Sequence, residues 1–356
     1  MLSLASRAAL QSVHPLRPVC HRVPNLGAHV ALPSHPCMCR RSSRDGRSRS
    51  FRFSLSSGKL QSSSCHCRNC ATEPTDFGRV LSVSAGQAHT CAVQADGQLV
   101  CFGDNYFGQC DVPADLGPVL TASAGYKHTC AVRADGQLVC FGGNFLGQCA
   151  VPGDLGRVVS VSASYGHTCA VQADGQLVCF GHNPNKQCDV PADLGPVLAV
   201  STGFNHACAV QADGQLACFG SNWLKQCSVP AKLGPVLAVS AAYRDTHAVR
   251  SDGQLVCFGD RSRRQRDVPS GLGPAVAVST GARHTCVVLS DGQLVCFGQN
   301  RRGECKVPAD LGPVSSVSAG YDHTCAVTAD GRLVCFGESR SGQCDVPEPL
   351  KIQNEV

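Results

Sequence analysis

A single spacing governs most of this chain. An Asp-Gly step recurs with its glycine at Gly97, Gly136, Gly175, Gly214, Gly253, Gly292 and Gly331, every interval being 39 residues without insertion or deletion. The proline of a Val-Pro step keeps the same beat from Pro113 to Pro347, so seven units of 39 residues fill 78–350. A fixed period of this size marks a repeat architecture, in which each copy buries its apolar face against its neighbours.

Each unit reads approximately GPVLxVSAGxxHTCAVxADGQLVCFGxNxxGQCDVPADL. Short β-branched and apolar stretches alternate with Gly, Asp, Asn and Pro, which is strand-and-turn chemistry, and no unit holds ten residues of helical periodicity. In the second unit the pattern predicts strands over 119–124, 128–132 and 137–141, with a short fourth over 149–151. Four short strands in about 40 residues is the pattern of a propeller blade, and closing the blades into a ring protects their edges. An open β-solenoid is the alternative, and the lack of atypical capping units weighs against it. The expected fold is all-β: a seven-bladed β-propeller over 71–350, preceded by a disordered basic segment over 1–70 and followed by a tail, 351–356.

The register inside a unit can be counted. If Ala95-Asp96-Gly97 is a three-residue hairpin loop with Gly97 left-handed, Gln94 faces Gln98, Val93 faces Leu99 and Cys91 faces Cys101. The two cysteines then form a non-hydrogen-bonded pair with α-carbons about 4.5 Å apart, within reach of a cross-strand disulfide. Nineteen of the 25 cysteines fall at three positions of the repeat. In the fifth unit the first position is His247 and the third is Arg266 while Cys257 remains, a joint loss that suggests pairing of first with third, as Cys91 with Cys110. Disulfides of either kind and reduced thiols packed as small hydrophobes both stay open, because the compartment decides. His89, Cys91, Cys101 and Cys110 have the inventory of a zinc site but lack a Cys-x-x-Cys knuckle, so no metal is expected. Cys65-His66-Cys67-Arg68-Asn69-Cys70 lacks a second half.

His89-Thr90-Cys91-Ala92-Val93, Asp96-Gly97, Phe102-Gly103-Asp104-Asn105 and Gly108-Gln109 resemble the regulator of chromosome condensation repeat, and the pattern returns in nearly every unit. The resemblance implies a seven-bladed propeller, and the short units are similar to those of the β-lactamase inhibitory propeller. One departure is systematic: the usual tryptophan is phenylalanine, from Phe102 to Phe336. Some members of that family are exchange factors for small GTPases, an alternative function for this chain. Against it, no unit has an extra loop to pry open a nucleotide site. The family's light-sensing branch needs clustered tryptophans, and Trp223 is alone.

Charge divides the chain. Residues 1–70 carry eleven basic residues against one acid, Asp45, whereas the remainder is net negative by five. The acid-poor, Ser- and Arg-rich opening suits an organelle transit peptide, with a plain basic tail on a cytoplasmic protein as the alternative. Such a tail also allows association with chromatin or nucleic acid, but the propeller portion is acidic overall and a poor match to phosphates. No apolar run approaches the roughly 18 residues of a membrane span.

In an up-and-down blade the connections after strands one and three share one face, and the Asp-Gly hairpin and Pro-Ala-Asp-Leu-Gly connection share the other. The second set is nearly uniform between units; the first carries the variation, and variable loops on a rigid scaffold are where binding is placed. After strand three the tips read Tyr106-Phe107, Phe145-Leu146 and Trp223-Leu224, then Arg261, Arg263 and Arg264, then Arg301 and Arg302, then Arg340. After strand one they read Tyr126, Tyr165, Phe204, Tyr243 and Tyr321. These residues predict an aromatic arc beside a basic arc, suited to a partner protein with an acidic and apolar patch. The competing reading tucks the aromatics into grooves between blades and leaves the arginines merely solvated. Catalysis has no candidate, since a His-x-Cys pair repeated in six units singles out no nucleophile, and neither a nucleophile elbow nor a phosphate loop occurs. No cofactor is expected.

Overall fold

The computed structural model describes residues 78–260, 262 and 264–351. The basic segment 1–70, its six cysteines, residues 352–356, Arg261 and Arg263 lie outside the described residues. Seven three-stranded antiparallel sheets follow one another along the chain, each with its strands in sequence order. The first blade shows the pattern, with β1 at Val80–Ala85, β2 at His89–Gln94 and β3 at Leu99–Gly103.

The counted register holds. Cys91 pairs with Cys101, Ala92 with Val100 and Val93 with Leu99, and the Gln94 N–H donates to the Gln98 carbonyl at 2.9 Å. Gly97 has φ 85°, the left-handed conformation this three-residue turn needs. The first strand carries a bulge in every blade, as where Val80 faces Gln94 but Ser82 faces Val93.

The predicted fourth strand does not form. Around Cys149 the backbone donors are already committed: Cys149 N–H to the Asn144 side-chain oxygen, Ala150 N–H to the Gly147 carbonyl and Val151 N–H to the Cys149 carbonyl. A segment whose N–H groups close its own turn, with Pro152 next, has none left for a ladder.

Closure of the ring is carried by a bond that the serine next to the end of the first strand makes at every seam. Ser84 Oγ accepts the N–H of Ala124 in the next blade at 2.9 Å. The same bond joins Ser123 to Ala163, Ser162 to Thr202, Ser201 to Ala241, Ser240 to Thr280 and Ser279 to Ala319. Ser318 completes it by accepting from Ala85, 233 residues away. An open solenoid has no such last bond. The core lies between blades: Cys91, Val93, Leu99 and Leu116 of the first unit pack on Val119, Ala124 and Ala131 of the second. Leu350 closes the last seam, fully buried among Val80, Phe102, Val327 and Leu333.

Candidate functional site

The uniform residues near the variable tips are structural supports. After the third strand, Asn105 accepts the Cys110 N–H at 2.8 Å and donates to Asp111 at 2.7 Å. Gln109, fully buried, accepts the Phe107 N–H and donates to Asp104. The turn is thus held from beneath, and residues 106–107 contribute only backbone to it. Their side chains are free to differ. Where the turn demands a left-handed residue, the first two units place Gly108 and Gly147, but the middle units place Lys186, Lys225 and Arg264 at φ 62–69°.

The tips after the first strand surround the ring axis. Tyr126, Tyr165, Phe204 and Tyr243, from four consecutive blades, form one continuous stack with centroid separations of 4.7, 4.2 and 4.5 Å. All four are half-buried, as is Tyr321 further round. Farther from the axis Tyr106, Phe107 and Phe145 meet edge to face at 4.8 and 5.6 Å. Tyr106, Phe145 and Trp223 are 84%, 76% and 86% exposed, while Leu146 and Leu224 are exposed to a lesser degree. The two sets of tips touch, since Lys127 Nζ lies 4.1 Å from the centre of the Phe107 ring.

The axial rings are contiguous, and at the outer tips Tyr106, Phe145 and Trp223 are exposed while Phe107 is half-buried. Arg264, Arg301, Arg302 and Arg340 are exposed on the last three blades. Arg302 and Arg340 share Glu338, at 2.9 and 3.3 Å. The axial rings bury faces against each other, and Phe107 packs against Phe145 and Lys127, whereas Tyr106, Phe145 and Trp223 stand in solvent. Sequence reasoning missed the cations that follow the tips directly, Lys127, Arg244 and Arg283. Arg244 lies 5.0 Å from the Tyr243 ring and Arg283 5.4 Å from Tyr321. Their position, one residue after each tip, was the available signal.

The repeated histidine works inside the seams. His89 Nε2 lies 3.0 Å from Thr129 Oγ1 of the next blade, and the Thr129 hydroxyl donates to the Gln109 carbonyl at 2.7 Å. A hydroxyl has one proton, so the imidazole must donate to it through Nε2. His128, His206, His284 and His323 repeat the link, the last to Thr90. Burial holds His128 and His323 down at about 3 and His206 and His284 at about 4, so they are neutral.

Two seams lack the link. Ala207 has no hydroxyl for His167, whose Nδ1 pairs with Ser164 instead. At the fifth blade Asp245 stands where the others have histidine. His247, in the cysteine position, compensates by donating to the Gln265 carbonyl at 3.1 Å and facing Thr280 through Nδ1. Burial raises Asp245 to about 6, and Gln265 donates to it.

The cysteine question resolves toward the first and second positions. Cross-strand disulfides join Cys130 to Cys140, Cys169 to Cys179, Cys208 to Cys218, Cys286 to Cys296 and Cys325 to Cys335, with α-carbons 4.1 Å apart. Cys91 and Cys101 are adjacent free thiols, their sulfurs 2.8 Å apart. The suggested first-to-third pairing is wrong. The third thiol donates to carbonyls at the end of the third strand, as Cys149 does to Phe141 and Gly143. Arg266 supplies such donors itself, to the Gly259 and Cys257 carbonyls at 2.7 Å. Burial pushes Cys110 up to about 12 and Cys149 to about 11, which keeps them as thiols. Among the described residues no three His, Cys, Asp or Glu side chains gather as a metal site requires.

Comparison with known proteins places the repeat. The family model of the regulator of chromosome condensation (RCC1) repeat matches residues 80–109, 119–148, 158–187, 197–222, 275–304 and 314–343, leaving out the deviant fifth unit. No curated protein matches the chain. Among solved structures, the CRINKLY WD40 ectodomain of the Arabidopsis thaliana receptor kinase ACR4 is 21% identical with a TM-score of 0.60, covering 73% of this chain and 98% of that one. Human WBSCR16 is 18% identical with a TM-score of 0.60, covering 70% and 87%. Prp20p of Saccharomyces cerevisiae is 15% identical with a TM-score of 0.58, covering 68% and 80%. At these identities the likeness shows the fold.

Proposed function

From the premise that the chain belongs to the regulator of chromosome condensation (RCC1) repeat family, we propose that it is a non-enzymatic protein-binding propeller that recognises its partner with the variable loops of one face. The observation that carries this reading is the exposure of Tyr106, Phe145 and Trp223 on turns whose geometry is fixed by other residues. Large apolar side chains held out in water by a rigid turn raise no stability of their own and are characteristic of interaction sites. The solved structure of Prp20p is described with its binding to Gsp1p and histones, which supports a protein partner for a propeller of this kind.

A non-catalytic role is supported by the commitment of the repeat's reactive side chains: the seam histidines are fully buried, His128, His206, His284 and His323 are held neutral, and third-position thiols such as Cys110 and Cys149 stay protonated. An exchange-factor role would need a protruding wedge, and each unit is 39 residues long. The experiment is site-specific photo-crosslinking in the source cells, with the photoreactive residue at position 223 on the loop face or at 137 on the hairpin face. The expected result is a discrete crosslinked protein from 223 and none from 137. Crosslinks from 137 alone would remove the proposal.

A further inference from the structure

On the loop face the ring axis opens into a cavity of about 160 Å³. Its floor is made of the small residues that end each first strand, such as Ala124 and Gly125, and its wall is the tip that follows. On one side that wall is the four-ring stack from Tyr126 to Tyr243; on the other it falls away at Ala282 and Gln87. A cavity of about 150 Å³ with apolar walls holds a benzene-sized guest.

The charge beside this mouth selects among guests. Lys127 Nζ lies 5.5 Å from the Tyr126 ring, Arg244 5.0 Å from Tyr243 and Arg283 5.4 Å from Tyr321. Asp322, 3.8 Å from Arg283, offsets part of one of these charges. Ring faces that already hold cations would repel a lysine or quaternary ammonium guest, although an aromatic wall by itself would welcome one. A neutral ring or branched alkyl group meets no such penalty, and carboxylates on either side of it would face Lys127, Arg244 and Arg283. A nucleic-acid strand fits less well. It asks for free aromatic faces interleaved with cations along a track. Here the axial rings from Tyr126 to Tyr243 stack on one another, which leaves their faces covered.

We infer that the axial mouth is an anchor pocket for one aromatic or branched aliphatic side chain of a partner polypeptide whose flanking residues are acidic. The inference rests on the loop-face reading and adds the chemistry of the partner.

The test uses a random peptide library displayed on phage and selected against the full-length protein, followed by anisotropy titration of the enriched peptides. Enriched sequences are expected to carry one Phe, Tyr, Trp, Leu or Ile between Asp or Glu residues. Phe204→Gln, a side chain that the first unit carries at this place as Gln87, should weaken their binding about ten-fold or more while lowering the melting temperature by only a few degrees. Arg244→Gln with Arg283→Gln should weaken it and flatten its salt dependence; this pair serves as the test if Phe204→Gln fails to fold. Basic consensus sequences, no enrichment at all, or indifference to both changes would overturn the inference. So would a labelled oligouridine whose binding depends on Phe204. Peptides that ignore Phe204→Gln but are lost with Trp223→Ser and Arg301→Ser would remove the pocket and leave the loop-face reading standing.

Discussion

The two faces of the ring are built from the same number of connections, yet they answer to different constraints. On the hairpin face, backbone binds backbone: across the seam the Val119 N–H donates to the Gly97 carbonyl at 2.8 Å, and within the blade the Ala134 N–H donates to the Pro118 carbonyl. A Cβ on Gly97 would stand 3.0 Å from Pro118 Cβ, at a φ of 85° that disfavours any side chain. On the loop face the turns are closed by Asn105 and Gln109, so Tyr106 and Phe107 do not hold the fold together. Repetition on the first face is therefore required by folding, and variation on the second is permitted by it. That permission leaves Tyr106, Phe145 and Trp223 free to differ from unit to unit.

The comparison can be broken most forcefully by acid. His128, His167 and His323 titrate at about 3 and His206, His247 and His284 at about 4 in the fold, against an ordinary 6.5. The unfolded chain therefore binds more protons below pH 6.5, and stability must fall as pH drops from there toward 3. Asp245, raised to about 6, works the opposite way but is a single group. Denaturant titrations from pH 7.5 to 4.5 should show a steep loss; a flat profile would mean that these six histidines are not held neutral.

Next in size, Leu138→Ala at a seam should cost about 2–5 kcal/mol by denaturant unfolding, since Leu138 is buried between blades. Gly97→Ala on the hairpin face should cost about 1–2 kcal/mol. In the opposite direction, Ala207→Thr should restore the missing partner of His167 and stabilise by about 1 kcal/mol. Smallest of all, Trp223→Ser should change stability by less than about 0.5 kcal/mol, because its ring is 86% exposed. A cost near that of Leu138→Ala would make the tip structural and collapse the distinction between the faces.

Much of the blade was legible because its signals are local. A three-residue hairpin with glycine at its end fixes the register, and the register puts Cys130 opposite Cys140. The fourth strand misled because 149–151 has the composition of a strand while its donors are taken by Asn144 and its own turn. The pairing of first and third cysteines misled because covariation in one unit reports a shared neighbourhood as readily as a bond: His247 and Arg266 both bind carbonyls around the same seam. The axial stack was legible as residues but not as contact, since its spacing is set by how blades tilt against each other. Lys127, Arg244 and Arg283 went unnoticed because a charge on a loop ordinarily means only solvation.

The most direct measurement is a saturation library of the whole propeller, displayed on cells and sorted twice, once for protease resistance and once for capture of the protein crosslinked at position 223. Substitutions at Tyr106, Phe145, Trp223 and Arg301 should pass the first sort and fail the second, while those at Gly97, Leu138 and Gln109 should fail both. Tip substitutions that fail the first sort, or capture that survives every tip substitution, would contradict the account.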